Sequence, residues 1–114
     1  MAADYREVLP LSPRVFYVLL ALADGEEHGY AIARAIETQT DGAVRITPGT
    51  LYPIIRQMLD DGWIAEIDSS EDPRRRCYRL TPRGKRVAQA EAARLEGLVK
   101  MARACRLLPA GAQA

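Results

Sequence analysis

The stretch Thr47-Pro48-Gly49-Thr50-Leu51-Tyr52-Pro53, followed by an apolar stripe that stops at Asp61-Gly62, decides how this chain is read. A threonine hydroxyl can accept a backbone N–H that the first turn of a helix leaves free, so Thr47 is a candidate cap. Pro48 suits the first helical position, where its missing N–H costs nothing. Leu51, Ile54, Ile55, Met58 and Leu59 then recur at helical spacing. Thr50, Tyr52, Arg56 and Gln57 fall on the other side. The spacing predicts one short helix with an apolar back and a front of hydrogen-bonding groups.

The punctuation on either side is regular. Ser12-Pro13 and Thr81-Pro82 repeat the Thr47-Pro48 start signal, and Asp24-Gly25 and Asp41-Gly42 repeat the Asp61-Gly62 stop. A helix is predicted from about Pro13 to Ala23. It is apolar nearly all round, so it is expected to be buried on more than one side, which in so small a chain suggests a partner subunit. The next helix should start near Glu27 or His28 and reach about Thr40, with Ile32, Ala33 and Ile36 inward. Val44-Arg45-Ile46 reads as a short extended piece. Trp63 to Ile67 and Arg76 to Leu80 read as two strands around a polar loop.

Pro82 should open a last helix reaching about Leu108, and residues 109–114 read as a loose tail. Leu95, Leu98, Val99, Ala102 and Cys105 mark one face of that helix. The preceding elements already make a compact unit, so this face is expected to have nothing to cover within the chain. A symmetric homodimer is the simplest solution. The alternative is a helix folded back on its own core. The predicted class is mainly α with a small β-hairpin wing. A winged helix-turn-helix DNA-binding domain over residues 1–81 precedes a C-terminal dimerisation helix over 82–108.

The chain has 114 residues, which favours one globular domain with a short appendage. No apolar run reaches the roughly 18–20 residues of a membrane span. The N-terminus lacks the basic start and apolar core of a signal peptide, which gives a cytoplasmic reading. Cys77 and Cys105 match no metal spacing and read as reduced thiols; neither metal nor cofactor is expected. The net charge of +1 does not advertise nucleic-acid binding, but its distribution does. Arg74, Arg75, Arg76, Arg79, Arg83, Lys85 and Arg86 fall in one span without an acidic residue. Local fields of this kind attract phosphates; a solvated basic face is the plainer explanation.

At the start of the central helix, Thr47, Gly49, Thr50 and Tyr52 stand where helix-turn-helix proteins meet base edges. Arg56, one turn on, is placed to reach a guanine or a phosphate, or is an ordinary surface arginine. Strand alternation would send Arg74 and Arg76 one way and Arg75 the other, so the three cannot share one phosphate. His28 has no catalytic or metal-ligating partners at a useful spacing and reads as a helix-start residue. Cys105 reads as a small buried hydrophobe, or as a disulfide partner if it lies near a two-fold axis.

Taken together, His28-Gly29-Tyr30-Ala31-Ile32, Thr47 to Pro53, Asp61-Gly62-Trp63-Ile64 and Arg76 to Gly84 resemble the PadR family of bacterial transcriptional regulators. Each segment alone is weak; the ordered set is specific and spans most of the chain. The resemblance implies a winged helix-turn-helix dimer that represses a promoter. It also implies a short-form member with a single C-terminal helix. It makes Tyr30 a contact to the DNA backbone through its hydroxyl, with its ring in the core. It further implies release by a small phenolic or hydrophobic effector, for which Phe16 and Tyr17, with Tyr5, are the aromatic residues within reach of a dimer cavity. Three features depart from the family pattern. Trp63 stands where an aliphatic residue is usual, Glu71 and Asp72 would repel phosphate at the wing tip, and the last helix has no aromatic residue.

The leading expectation is a dimeric, sequence-specific repressor that binds double-stranded promoter DNA. The alternative is a winged-helix module that binds protein, motivated by the near-neutral charge and the acidic loop. No nucleophile–base pair, phosphate loop or metal set supports an enzyme.

Overall fold

The computed structural model describes residues 5–68, 71–72 and 75–109. A short 3-10 turn, Tyr5–Val8, leads into α1 (Pro13–Ala23), β1 (Glu27–His28), α2 (Gly29–Gln39), α3 (Pro48–Asp60), β2 (Ile64–Asp68), β3 (Cys77–Leu80) and α4 (Pro82–Ala104). The helix starts follow the Ser/Thr-Pro pairs. The Ser12 hydroxyl accepts the Val15 N–H at 3.3 Å, and the Thr81 hydroxyl accepts the Gly84 N–H at 3.0 Å. Thr47 holds the same position but makes no side-chain cap. Its carbonyl already takes the Thr50 N–H at 3.0 Å, and its hydroxyl instead donates to the Thr50 hydroxyl at 3.4 Å.

The core forms where the apolar faces of the helices meet the sheet. Val18, Leu19 and Leu22 of α1, Ile32 and Ile36 of α2, and Leu51, Ile55 and Met58 of α3 are buried together with Trp63, Ile64, Tyr78 and Val87. One side of α1 stays open at Leu20. The sheet is antiparallel in the order β1-β3-β2. The sequence reading put Glu27 and His28 at the start of a helix. They instead form an edge strand, Glu27 opposite Tyr78 and His28 opposite Cys77. Two residues carry no strand periodicity of their own, and only pairing with β3 makes them extended. The Gly29 N–H continues that pairing to the Arg76 carbonyl at 2.9 Å. On the other side of β3, Ile64 faces Leu80 and Ala65 faces Arg79, with a bulge between Glu66 and Asp68.

Three helix stops are Schellman turns of different parentage. At α2 the left-handed residue is Asp41, φ +52°, and the Gly42 N–H reaches the Glu37 carbonyl at 2.8 Å. At α3 the expected glycine, Gly62, takes φ +76°, and the Trp63 N–H reaches the Met58 carbonyl at 2.9 Å. At α4 the left-handed residue is Arg106, φ +60°, and the Leu107 N–H reaches the Ala102 carbonyl at 2.8 Å. The last helix therefore ends at Ala104, short of the expected Leu108, and Cys105 is its exposed cap residue.

The first half of α4 does have something to cover. It packs on α1, on β3 and on the N-terminal turn, burying Gly84, Val87 and Glu91. Gly84 makes this possible: a Cβ there would overlap the Trp63 carbonyl, 2.7 Å from its carbon. Further along, Leu98, Val99 and Met101 are exposed. The radius of gyration is 15.5 Å, against about 13 Å for a compact domain of this length.

Candidate nucleic-acid interface

Burial of Leu51, Ile55 and Met58 against the core turns the opposite side of α3 outward. Thr47, Gly49 and Arg56 are exposed, while Thr50 and Tyr52 are half-buried. Pro53 lies inside the helix and has no N–H, so the Gly49 carbonyl lacks its α-helical donor and remains an acceptor on this face.

Tyr52, Arg56 and Asp60 of α3 meet Arg76 and Tyr78 of the hairpin around a groove of about 370 Å³. The structure thus brings together Tyr52, Arg56 and Arg76, which lie far apart in sequence. The Arg76 guanidinium is not wholly available. Its Nε lies 3.8 Å from Glu66 Oε1 across the hairpin, and it also hydrogen-bonds the Tyr78 side chain. Burial pushes the Tyr78 phenol above its ordinary range, Glu66 adds to that shift, and Arg76 opposes it. Tyr78 is therefore a neutral, packed floor to the groove.

Arg75 is exposed and precedes β3, with its N–H on the Asp72 carbonyl at 2.9 Å. The strand alternation expected for this stretch does not govern Arg75 and Arg76, because β3 starts only at Cys77. Arg74 lies outside the described residues. At the loop, Glu71 is exposed and Asp72 half-buried. Tyr30 differs from expectation: its ring is 54% exposed and stacks on His28, with centroids 5.5 Å apart. It lies in the first turn of α2, beside the edge strand, and so presents its ring as well as its hydroxyl.

The residues assigned to a dimer or effector cavity do not line this groove. Phe16 and Tyr17 are half-buried on α1 and packed against the core. Leu95 and Ala102 are half-buried, whereas Leu98, Val99 and Cys105 are exposed. The side chain of Tyr5 lies outside the described residues. The sequence reading missed Glu91, a carboxylate only 2% exposed. Arg94 grips it with bonds of 2.6 and 3.0 Å, and the Leu11 N–H donates to it at 3.2 Å. The Arg94 hydrogen bonds hold its pKa below the ordinary glutamate value against the opposing effect of burial, and the Leu11 N–H assists. The i,i+3 spacing of Glu91 and Arg94 was visible in the sequence; the partner eighty residues away was not.

A family model for the transcriptional regulator PadR-like family matches residues 18–90. Transcriptional regulator Rv3488 of Mycobacterium tuberculosis is 32% identical over 85 residues, covering 74% of this chain and 77% of that protein. An uncharacterised 37.1 kDa protein of transposon Tn4556 from Streptomyces fradiae is 42% identical over 85 residues, covering 72% of this chain. The chain spans only 24% of that relative's length. A PadR family transcription regulator from Clostridium difficile R20291 shares the fold, with a TM-score of 0.65 at 22% identity over 78% of this chain and 93% of that one. The cap, turn and stripe signals around α3, the winged-helix topology built on them, and these matches converge: the chain belongs to the PadR-like family of transcriptional regulators, which are not enzymes.

Proposed function

We propose that this regulator is a cytoplasmic homodimer that represses its target by binding promoter DNA sequence-specifically. The observation that carries the reading is the shared groove of Tyr52 and Arg56 with Arg76, beside an exposed Thr47-Gly49-Thr50 helix start. α3 enters the major groove, where Thr50, Tyr52 and Arg56 read base edges and the helix start holds a phosphate. Arg75 and Arg76, with Arg74, hold the backbone, and Tyr30 adds a contact from the start of α2. For a phosphate to engage Arg76 it must displace Glu66. Residues 1–81 supply this surface, residues 82–108 pair the protomers through Leu95, Leu98, Val99 and Ala102, and residues 109–114 are a tail. Two recognition helices on one DNA face then address half-sites about 34–36 Å apart. A small aromatic or hydrophobic effector lodged near Phe16 and Tyr17 releases DNA by favouring a dimer with wrongly spaced helices.

The test is a salt titration on the DNA upstream of the protein's own gene, beside a random duplex. The expected result is selective retention with a steep salt dependence, weakened by Arg74→Ala and abolished by Tyr52→Ala. Equal, weak binding to both duplexes across salt overturns DNA recognition at that site and favours a protein-binding module.

A further inference from the structure

A second cavity lies along the flank of the recognition helix opposite the groove of Tyr52 and Arg76. It measures about 390 Å³, within the range of small-molecule sites. Val8 and Leu11 of the N-terminal segment, Val15 of α1, Ile54 and Met58 of α3, and Trp63 line it. Its polar residues include Gln57 and Asp61 at the end of α3. The Gln57 amide N–H₂ is turned to Asp61, donating at 3.1 Å, so the pair offers a ligand a carboxylate and an amide oxygen. The helix also presents its negative end here, which favours a cation.

We infer that this cavity is a binding site for an apolar molecule carrying one cationic head: the body packs on Trp63, Ile54 and Val15, and an ammonium group meets Asp61. The site is complete within one protomer, and its lining includes neither Phe16 nor Tyr17, the residues proposed above for a dimer cavity. Its use as an effector site rests on the DNA-binding reading above; ligand binding itself does not. The ligand would touch α3 along its flank and would also touch Leu11, whose N–H is bonded to Glu91 on α4. Recognition helix and C-terminal helix would then sense one molecule.

Trp63 is the single tryptophan of the chain, so its emission reports the cavity directly. 4-Phenylbutylamine, 4-phenylbutanol and 4-phenylbutyrate share a body and differ only in the head. The amine is expected to shift Trp63 emission saturably and bind most tightly, and the butyrate to bind most weakly. Asp61→Asn should weaken the amine about fivefold, the upper end for a partly exposed charge pair, and leave the alcohol unchanged. Asparagine still suits the end of a helix, and an unchanged far-ultraviolet spectrum confirms folding. Equal affinities for the three heads, no saturable shift, or an amine affinity indifferent to Asp61→Asn overturns the site. Promoter retention is measured on the same protein before any amine is added. Retention without amine binding refutes this site alone; amine binding without retention upholds it and refutes the DNA-binding reading.

Discussion

Replacing Gly84 by alanine sets two physical effects of opposite sign against each other. Gly84 sits in the first turns of α4, and alanine is the better helix former by about 1 kcal/mol. Propensity alone therefore predicts a more stable protein. Packing predicts the reverse. The new Cβ would overlap the Trp63 carbonyl, and Trp63 is fixed in turn: its carbonyl accepts the Thr81 N–H at 3.0 Å and its N–H reaches Met58 at 2.9 Å. The obstacle is backbone on both sides, so no side chain can rotate away. The start of α4 must shift by about an ångström, which strains the Thr81 bonds to Gly62 and Gly84. Overpacking of this kind costs about 1–3 kcal/mol, and the absence of a yielding side chain puts it at the upper end; less the propensity gain of about 1 kcal/mol, Gly84→Ala should destabilise by about 2 kcal/mol net. At this chain length the melting temperature should fall by about 10 °C. Gly97→Ala is the internal control, since nothing lies within 4 Å of a Cβ there; it should stabilise by up to about 1 kcal/mol. Urea and thermal unfolding at fixed protein concentration, followed by Trp63 fluorescence, read both. A Gly84→Ala protein as stable as the parent would refute the close approach of α4 to Trp63.

Other substitutions probe separate parts of the structure. Arg106→Gly removes the strain of a non-glycine residue at φ +60° and should stabilise by about 0.5–1 kcal/mol in urea unfolding. Glu91→Ala removes a buried acceptor for two partners and should cost about 2 kcal/mol at neutral pH. Because the folded pKa of Glu91 lies below its unfolded value, its ionic contribution is full above the unfolded pKa and is lost as pH falls through the folded one. Stability curves of the parent and Glu91→Gln should therefore approach one another as pH falls below the unfolded glutamate pKa and meet below the folded one. Arg75→Ala should reduce the log–log salt slope of DNA binding by roughly one unit on any sequence, whereas Arg56→Ala should also relax base preference. Glu66→Gln frees Arg76 of its carboxylate partner and should tighten DNA binding at low salt, as read by retardation.

The parts of this fold that could be read in the sequence are those whose cause is local. Proline after a cap residue announces α1, α3 and α4, and Gly62 announces the end of α3, because backbone chemistry within four residues decides each. Leu51, Ile55 and Met58 fix which side of α3 faces the core, and with it the outward position of Arg56. What escaped depends on distant partners. β1 exists only because β3 offers it bonds, and the burial of Glu91 depends on the Leu11 N–H. The close packing of α4 needs both Gly84 and a carbonyl twenty-one residues earlier. The end of α4 escaped for a different reason: an arginine took a conformation that sequence patterns reserve for glycine or asparagine. In the candidate interface, the residue types were legible, but the diversion of Arg76 to Glu66 and the outward stacking of Tyr30 on His28 were not.

Thr81 joins three things at once. Its hydroxyl donates to the Gly62 carbonyl at 2.6 Å, just past the end of α3, and accepts the Gly84 N–H at the start of α4, while its backbone N–H bonds Trp63 at the hairpin. Recognition helix, wing and C-terminal helix thus meet at a welded corner and turn as a single lever. In the proposed dimer, the gearing follows from length alone. α4 spans about 35 Å, so a tilt of about 5° between paired α4 helices displaces the opposite end by about 3 Å. That exceeds the tolerance of a hydrogen bond to a base edge. Signal transmission in such a machine requires no flexible hinge inside the protomer; a small rotation at the seam between two rigid bodies is enough.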